Sequence, residues 1–303
     1  MSFTDGKNSM GGALWRRPMF LAAALVLQIS GLTASRVYAH EAGAPFSGAI
    51  IDPFSLHHAH IENEQRLNLF SLRGVDAGEG RKRSVFEGEL EFAWSNATFD
   101  FGFEAFIPFV SLPSPEGDGR TKGIGDIEIR PIKYALINRP DFVLTTATAL
   151  TLPTGNRERG LGSGNTTVAQ FVFVDKAVGN WFFGLNVGAD ARVGGESGSG
   201  VEYGAVVSYS FIHGTPSGGL AASRPSQPLV ISPSLEFVGS KRLSGNDSGE
   251  RETSISTGLN FWWPKSGWQV RAGVAIPISG VREADRTFLL QVGNHLNWGK
   301  ILR

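Results

Sequence analysis

Residues 268–278 read WQVRAGVAIPI, and their side chains alternate between two kinds of surface. The apolar face occupies every second position and consists of Trp268, Val270, Ala272, Val274, Ile276 and Ile278. The opposite face is polar or small and consists of Gln269, Arg271, Gly273 and Ala275. Because successive side chains of a β-strand point to opposite sides, this period of two predicts a strand with one oily and one hydrophilic face.

The same alternation recurs through most of the chain, and no sustained helical period accompanies it. It is clearest at 99–109, 181–191 and 201–211. Reading outward from these stretches predicts about twelve strands, at residues 61–73, 84–95, 98–109, 124–137, 141–152, 166–177, 180–192, 200–213, 228–240, 251–263, 267–278 and 286–298.

The predicted strands are long, at roughly eleven to fourteen residues, whereas strands of globular proteins have a mode near five or six. A tilted strand that crosses a bilayer needs about nine to eleven residues. In hydrocarbon each unpaired backbone group costs several kcal/mol, so a lipid-exposed sheet must close on itself. The sequence therefore predicts an all-β fold, a closed antiparallel transmembrane β-barrel of about 12 strands of the outer-membrane type. A soluble all-β fold with aromatic core residues is the alternative.

Composition supports this class. The 303 residues include 28 Lys+Arg and 28 Asp+Glu, 18% charged, 41% hydrophobic and 39 Gly, and no cysteine. The absence of a basic excess argues against nucleic acid as a partner. The absence of cysteine excludes disulfides, thiol catalysis and zinc–thiolate sites. A mean hydropathy of −0.06 argues against a bundle of transmembrane helices.

The first 39 residues have the pattern of a secretory signal peptide. Arg16 and Arg17 precede an apolar run at 19–27, and Val37-Tyr38-Ala39 resembles a cleavage site before His40. An uncleaved anchor and twin-arginine export are lesser alternatives. Removing residues 1–39 takes away four basic residues and one acidic residue, so 24 basic and 27 acidic residues remain and the net charge is −3. The predicted organisation is a signal peptide at 1–39, a periplasmic N-terminal segment at 40–60 and an outer-membrane barrel at 61–303.

The connections between predicted strands alternate in length. Short turns are expected at 96–97, 138–140, 178–180 and 264–266, and longer polar links at 74–83, 110–123, 153–165, 193–199, 241–250 and 279–285. Short periplasmic turns opposite longer external loops are typical of outer-membrane barrels. The segment 214–227 departs from this rule, because it is long where a short turn is expected. Aromatic residues near strand ends suit the girdles at the two membrane interfaces, namely Trp94, Trp181, Tyr209, Trp263, Trp268 and Trp298.

The polar faces of the predicted strands carry charges of both signs. A charge at the lipid midplane costs up to about 2–4 kcal/mol, so these side chains are expected to face the lumen. The predicted lumen lining is Glu87, Glu89, Glu91, Asp100, Glu104, Asp126, Glu128, Arg130, Asp190, Arg192, Glu202, Glu236 and Arg271. They could form a polar plug of paired charges or line a solute path, and their acidic excess would favour neutral or cationic solutes. Pro131 predicts a bulge that re-aims Lys133.

No catalytic, cofactor or metal site is predicted. His57, His58 and His60 precede the first strand, and clustered imidazoles can bind Zn, Cu or Ni. Since no acidic or thiol partner with regular ligand spacing accompanies them, surface histidines on a periplasmic segment are the favoured interpretation, and metal binding is left open. The glycine-rich stretch 160–164 lacks the Lys and helix of a phosphate loop. A lipid hydrolase would need a Ser nucleophile and a His base, and no H-x-S arrangement occurs.

Three motifs carry a family resemblance: Gly123-Ile124-Gly125-Asp126-Ile127-Glu128-Ile129 with Lys133-Tyr134, Leu152-Pro153-Thr154-Gly155-Asn156 with Gly160-Leu161-Gly162-Ser163-Gly164, and Gly179-Asn180-Trp181. In this order the chain resembles the outer-membrane β-barrel family of the meta-pathway of phenol degradation, whose members are described as transporters. The motifs span about residues 120–192. One departure is the C-terminus, where Trp298 is followed by five further residues instead of ending the chain.

The resemblance implies a Gram-negative outer-membrane barrel that passes small, often hydrophobic or aromatic, solutes and has no catalytic residues. The expected function is therefore a passive channel in the cell outer membrane. The expected partners are outer-membrane lipids, the barrel assembly machinery and a small-molecule solute. A plugged barrel with a structural or docking role is the main alternative, and a lipid hydrolase is a lesser one.

Overall fold

A computed structural model describes residues 53–76, 81–113, 119–194, 197–213, 229–263 and 266–295. The predicted signal peptide, the link 214–227 and Trp298 lie outside these ranges. The described chain forms fourteen strands, which are β1 Glu64–Asp76, β2 Lys82–Ser95, β3 Phe101–Pro113, β4 Arg120–Ile124, β5 Ile127–Arg139, β6 Phe142–Leu152, β7 Thr166–Val178, β8 Trp181–Val193, β9 Gly198–Tyr209, β10 Phe211–His213, β11 Leu229–Ser244, β12 Arg251–Trp263, β13 Trp268–Gly280 and β14 Arg286–His295.

The strands form one closed antiparallel sheet. The first and last strands pair over their length, from Glu64 opposite His295 to Arg73 opposite Arg286. Two barrel strands are each interrupted once: β4 and β5 both pair with β3 on either side of Gly125 and Asp126, and β9 and β10 both pair with β11. The fourteen segments therefore make twelve barrel strands. The predicted fold class is confirmed.

The alternation that predicted the strands separates the inside of the barrel from the outside. In β13, Gln269 and Arg271 are each 1% exposed, whereas Trp268 and Ile276 are 50% and 49% exposed. The same split holds in β3, where Glu104 is buried and Phe103 and Phe109 are exposed. The polar side chains fill the interior and the apolar ones cover the outer wall, which is the reverse of a soluble sandwich.

The two rims of the barrel differ. The predicted short turns join strands at one end, here called the turn rim, and the longer loops join them at the other end, the loop rim. The described tryptophans of the outer wall, Trp94, Trp181, Trp263 and Trp268, all lie at the turn rim, and Tyr209 packs there against Trp181 at 5.0 Å between ring centroids. The expectation of one such set at both interfaces is therefore wrong for these five residues, because each sits at a strand end that leads into or out of a short turn.

Among the described residues, no helix is both long enough and apolar enough to span a membrane.

Residues 53–63, here called the lumen segment, run through the interior of the barrel before β1 begins. Phe54, Leu56, His58, His60 and Glu62 are buried. The interpretation of His57, His58 and His60 as surface residues is therefore wrong, since the segment turns inward, where the polar faces of the strands supply hydrogen-bond partners. Residues 40–52 of the expected periplasmic segment lie outside the described ranges.

Candidate functional site

Two carboxylates hold the backbone of the lumen segment. Glu236 on β11 accepts hydrogen bonds from the amides of Phe54, at 2.6 Å, and Ser55, at 2.8 Å. Asp175 on β7 accepts hydrogen bonds from the amides of Ala59, at 2.7 Å, and His60, at 3.3 Å. Each carboxylate thus satisfies two backbone amides of the segment, and a buried amide left without a partner costs about 1–3 kcal/mol.

The two ends of the segment are held as well. Ser55 Oγ and Ser256 Oγ are 2.7 Å apart, and Asn63 exchanges hydrogen bonds with Ser95 at 2.7 and 3.0 Å. Thr145 on β6 donates its hydroxyl to the carbonyl of Ala59. The segment is therefore tied to strands on opposite sides of the barrel, so it crosses the lumen instead of lining one wall.

Glycines of the wall make room for the apolar side chains of the segment. A Cβ at Gly204 would lie 2.1 Å from Leu56 Cδ2, and a Cβ at Gly258 would lie 2.5 Å from the tip of Phe54. A Cβ at Gly102 would likewise meet Ile61 at 2.5 Å. Because real Cβ atoms do not approach this closely, the absence of a side chain at these three positions is what admits the segment.

A buried cation pair lies on β5 beside Glu104. Arg130 Nη1 is 2.9 Å from Glu104 Oε2, and Arg130 Nη2 is 2.7 Å from Glu128 Oε1. Lys133 donates to the other oxygen of Glu104. The pairing of β5 with β6 shifts register between Ile129 and Ile132, as Pro131 predicted, and this irregularity lets Arg130 and Lys133 both point inward although they are three residues apart.

The neighbouring histidine belongs to this cation cluster. Arg130 Nη2 donates to His57 Nε2 at 2.7 Å, and the guanidinium lies over the ring of Phe106 at 4.5 Å from its centroid. The His57 ring meets Phe106, Phe171 and Phe173 edge-on at 5.9–6.3 Å between centroids. His57 therefore contacts different groups from His58 and His60.

A second charge network ties the inner wall to the 245–250 loop at the loop rim. Arg242 pairs with Asp190 at 2.7 Å and with Asp247 at 3.3 Å, and Arg192 pairs with Asp247 at 2.6 Å. Burial acts to raise the pKa of Asp247, but the hydrogen bond and positive charge of Arg192 outweigh burial and hold that pKa below its ordinary value. This network fixes the loop across the strand ends.

Arg66 and Arg271 are paired with carboxylates in a similar way. Arg66 binds Glu91 through two hydrogen bonds, at 2.9 and 2.6 Å, and Asn68 donates to Glu89 at 3.1 Å. On the opposite side of β1, Arg271 lies 3.4 Å from Glu64 and donates to Gln291 at 3.2 Å.

The thirteen residues predicted to line the lumen fall into three groups. Those with buried side chains on the inner wall are Glu89, Glu91, Glu104, Arg130, Asp190, Glu236 and Arg271, while Glu87, Glu128, Arg192 and Glu202 are half-buried. Asp126 accepts hydrogen bonds from the backbone amides of Gly155, at 2.9 Å, and Ser163, at 2.6 Å, and so fixes the 153–165 loop. Asp100 lies in the turn before β3, where Asn138 donates to it at 3.5 Å.

A cavity of about 340 Å³ lies between the lumen segment and the loop rim. Pro53–His57 border it, and strands from most of the barrel contribute to its wall, including Phe70 and Phe106. Its charged lining residues are one arginine, Arg66, and five carboxylates, Glu89, Glu91, Glu202, Glu252 and Glu283. The cavity is thus aromatic in part and acidic in balance.

Sequence reasoning did not single out several residues that organise this interior. Glu62, Glu64 and Asp175 are among the most deeply buried carboxylates, and Arg66 and Arg242 are buried guanidinium groups. A signal was present for Glu62, since residues 58–62 alternate as His-Ala-His-Ile-Glu. In an extended chain that spacing places His58, His60 and Glu62 on one side.

The fold and the filled lumen define a β-barrel of the outer-membrane type. No family model and no curated protein matches the chain. Among solved structures, an outer membrane channel from Pseudomonas putida F1 is similar with a TM-score of 0.51 and 16% identity, over 81% of this chain and 99% of that chain. The NanC porin has a TM-score of 0.47 and 10% identity, over 77% of this chain and 100% of that chain. The beta domain of the Bordetella autotransporter BrkA has a TM-score of 0.48 and 10% identity, over 77% of this chain and 99% of that chain. The first of these likenesses shows a shared fold.

Proposed function

We propose that the chain is an outer-membrane channel for small solutes, whose lumen is closed on the turn-rim side by its own N-terminal segment. The observation that carries this proposal is the 340 Å³ cavity inside the barrel, bordered by that segment. Ligand pockets in proteins range over about 300–1,000 Å³, so the cavity suits a solute of about one ring. The similar Pseudomonas putida structure is that of an outer membrane channel, which also supports the proposal.

The outer wall supports a location in the outer membrane of a Gram-negative bacterium. Apolar side chains such as Leu185, Val187 and Leu235 are exposed on it, and an apolar surface of this kind indicates contact with lipid. Export by the signal peptide predicted at 1–39 and insertion by the barrel assembly machinery follow from that location. Tryptophans collected at the turn rim would sit at the lipid headgroups.

The solute class follows from the lining. Aromatic rings of Phe54, Phe70 and Phe106 beside carboxylates suit a neutral or cationic solute that is partly hydrophobic. The resemblance to the phenol-degradation family supports aromatic compounds as the cargo. The rings of His57, His58, His60 and His295 contact carboxylate, guanidinium, amide and carbonyl groups. The proposed role involves no catalysis.

Passage requires the lumen segment to move. Asp175 and Glu236 each hold two of its backbone amides, so the double variant Asp175→Asn/Glu236→Gln weakens both attachments. We expect faster swelling of liposomes in small neutral sugars and phenols, and larger single-channel conductance in planar bilayers, than with the unchanged protein. The control is Glu158→Gln on an exposed loop, which should match the unchanged protein.

Gel mobility before and after boiling establishes that each variant is a folded barrel. If the unchanged protein and the double variant are both folded and both impermeable, the channel proposal is wrong. That result would favour a plugged barrel with a structural or docking role, which the paired charges in the lumen also support. Phospholipid or lipid A turnover by the purified protein would instead indicate a hydrolase.

A further inference from the structure

Three side chains of the lumen segment converge at its turn-rim end. His58, His60 and Glu62 alternate along an extended backbone, so they share one side, and they are 5%, 4% and 2% exposed. A ligand atom from each lies within 4.8 Å of the other two. Together they offer two imidazole nitrogens and a carboxylate, a donor set found in protein zinc sites.

The distances within this cluster suit a single small cation. His58 Nε2 lies 3.1 Å from Glu62 Oε1, and His60 Nε2 lies 3.6 Å from Glu62 Oε2. Around a tetrahedral Zn²⁺ with bonds of about 2.0–2.1 Å, neighbouring ligand atoms are separated by about 3.3–3.4 Å. The observed separations bracket that value. The rings of His58 and His60 are stacked at 3.8 Å between centroids, so one ring must turn for both Nε2 lone pairs to point at a shared ion.

Both imidazoles are oriented by hydrogen bonds at their other nitrogen. His58 Nδ1 donates to the carbonyl of His60 at 3.0 Å, and His60 Nδ1 donates to Asp175 Oδ2 at 3.0 Å. With the proton on Nδ1, the lone pair of each ring is on Nε2, which faces Glu62. A carboxylate or carbonyl behind a histidine is the usual support of a metal-binding imidazole, because it fixes the tautomer and raises the basicity of the ligand nitrogen.

A third histidine reaches the cluster from the barrel wall. His295, at the end of β14, places Nδ1 3.2 Å from Glu62 Oε2, and Gln269 Nε2 donates to its Nε2. In this arrangement Nδ1 carries the proton and orients the Glu62 carboxylate. The cluster thus joins the lumen segment to the last strand, and Asp175 joins it to β7.

We propose that His58 Nε2, His60 Nε2 and the Glu62 carboxylate bind a divalent transition-metal ion of the Zn²⁺ class, with Asp175 and His295 as positioning residues. Nitrogen and oxygen donors without thiolate favour Zn²⁺, Ni²⁺ or Cu²⁺ over Ca²⁺ and Mg²⁺, which prefer oxygen ligands only. The bound ion fixes the conformation of residues 58–62, and Asp175 and His295 join that part of the lumen segment to the barrel wall. The site does not depend on whether the barrel conducts.

The test uses the full folded protein in detergent, without a polyhistidine tag and after treatment with EDTA. We expect titration calorimetry with ZnCl₂ to show one ion per chain at micromolar or tighter affinity. Co²⁺ in place of Zn²⁺ should give the visible absorption of a tetrahedral site with nitrogen and oxygen ligands. His58→Ala, His60→Ala and Glu62→Gln should each abolish binding, and Asp175→Asn should weaken it by about 10–100-fold.

His57→Ala is the matched control, because His57 is adjacent in sequence but pairs with Arg130, and it should leave Zn²⁺ affinity unchanged. Gel mobility before boiling shows that each variant is still a folded barrel. Zn²⁺ should also raise the temperature at which the unchanged protein loses its folded mobility and should have no such effect on Glu62→Gln. Absence of stoichiometric binding in the unchanged protein, or equal loss of binding in His57→Ala and Glu62→Gln, would overturn the proposal.

Discussion

Asp175 shows how much of the interior depends on one side chain. Its carboxylate accepts the amides of Ala59 and His60 and the ring nitrogen of His60, so it fixes both the backbone path and an imidazole tautomer. Hydrogen bonds to a charged acceptor are worth about 1.5–3 kcal/mol each. A buried carboxylate with three donors is therefore a fixed point for the lumen segment.

Asp247 gives a pH dependence at the scale of a single residue. Its pKa is below the ordinary value when the barrel is folded, so the unfolded chain binds the proton more readily. The contribution of Asp247 to stability is complete above the unfolded pKa of about 3.9 and is lost as the pH falls through the folded pKa.

We therefore expect the difference in unfolding free energy between the unchanged protein and Asp247→Asn to be constant from about pH 7 to pH 5. Below about pH 4 this difference should shrink towards zero as Asp247 is protonated. Urea titrations of the folded barrel at several pH values measure it. Ser248→Ala in the same loop should show a difference that does not depend on pH; a pH-independent difference for Asp247→Asn would contradict the assignment.

Single residues also show where sequence reasoning succeeded and where it stopped. Pro131 lacks an amide proton, so the irregularity beside it and the inward turn of Lys133 could be predicted from local chemistry. The role of Asp126 could not, because its partners Gly155 and Ser163 are amides of a distant loop that only the folded barrel brings near.

At the scale of elements, β3 and β5 are joined by a buried charge cluster centred on Glu104. Glu104 serves both Arg130 and Lys133, and the two cations are nearly inaccessible to water. Removing one partner of a buried ion pair leaves an uncompensated charge, which costs about 3–5 kcal/mol.

Glu104→Gln should lower the free energy of unfolding by about 3–5 kcal/mol. Urea titrations that follow folding of the barrel into lipid vesicles and its unfolding from them measure this change. Glu158→Gln, an exposed loop substitution, should stay within about 0.5 kcal/mol of the unchanged protein. A loss below about 1 kcal/mol for Glu104→Gln would show that solvent or a rearranged neighbour neutralises the cations.

The strands themselves could be predicted because their alternation is a local signal. The strand predicted at 84–95 is observed at Lys82–Ser95, and the strand predicted at 251–263 is observed at Arg251–Trp263. The lumen segment could not be predicted in the same way. It is short, has no partner strand, and its interior position depends on gaps at Gly102, Gly204 and Gly258 that lie on three different strands. Such complementarity is visible only after the sheet has closed.

At the scale of the whole molecule, the closed sheet turns a neutral sequence into an acidic cavity. The cavity lining has five carboxylates and one arginine, and burial concentrates their field in the cavity. This distribution favours cations over anions in any conducting state.

We expect a reversal potential that shows preference for K⁺ over Cl⁻ in a salt gradient across a planar bilayer, with the lumen segment loosened by Asp175→Asn/Glu236→Gln. Adding Glu202→Gln and Glu252→Gln, both on the cavity wall, should reduce that preference. Adding Glu158→Gln instead should leave it unchanged, since that side chain is on the outer loop. If the preference for K⁺ over Cl⁻ is the same with and without Glu202→Gln and Glu252→Gln, ions take a route that avoids the cavity wall.

The pairing of the first strand with the last dictates an order of events during folding. The lumen segment precedes β1 in the chain, yet its contacts come from β2, β6, β7, β11, β12 and the end of β14. It is synthesised before every strand it touches, and its contact with His295 cannot form until the final strand has joined the sheet. Maturation of this barrel therefore ends with its oldest residues, and a kinetic phase that reports burial of Phe54 should lag behind closure of the sheet.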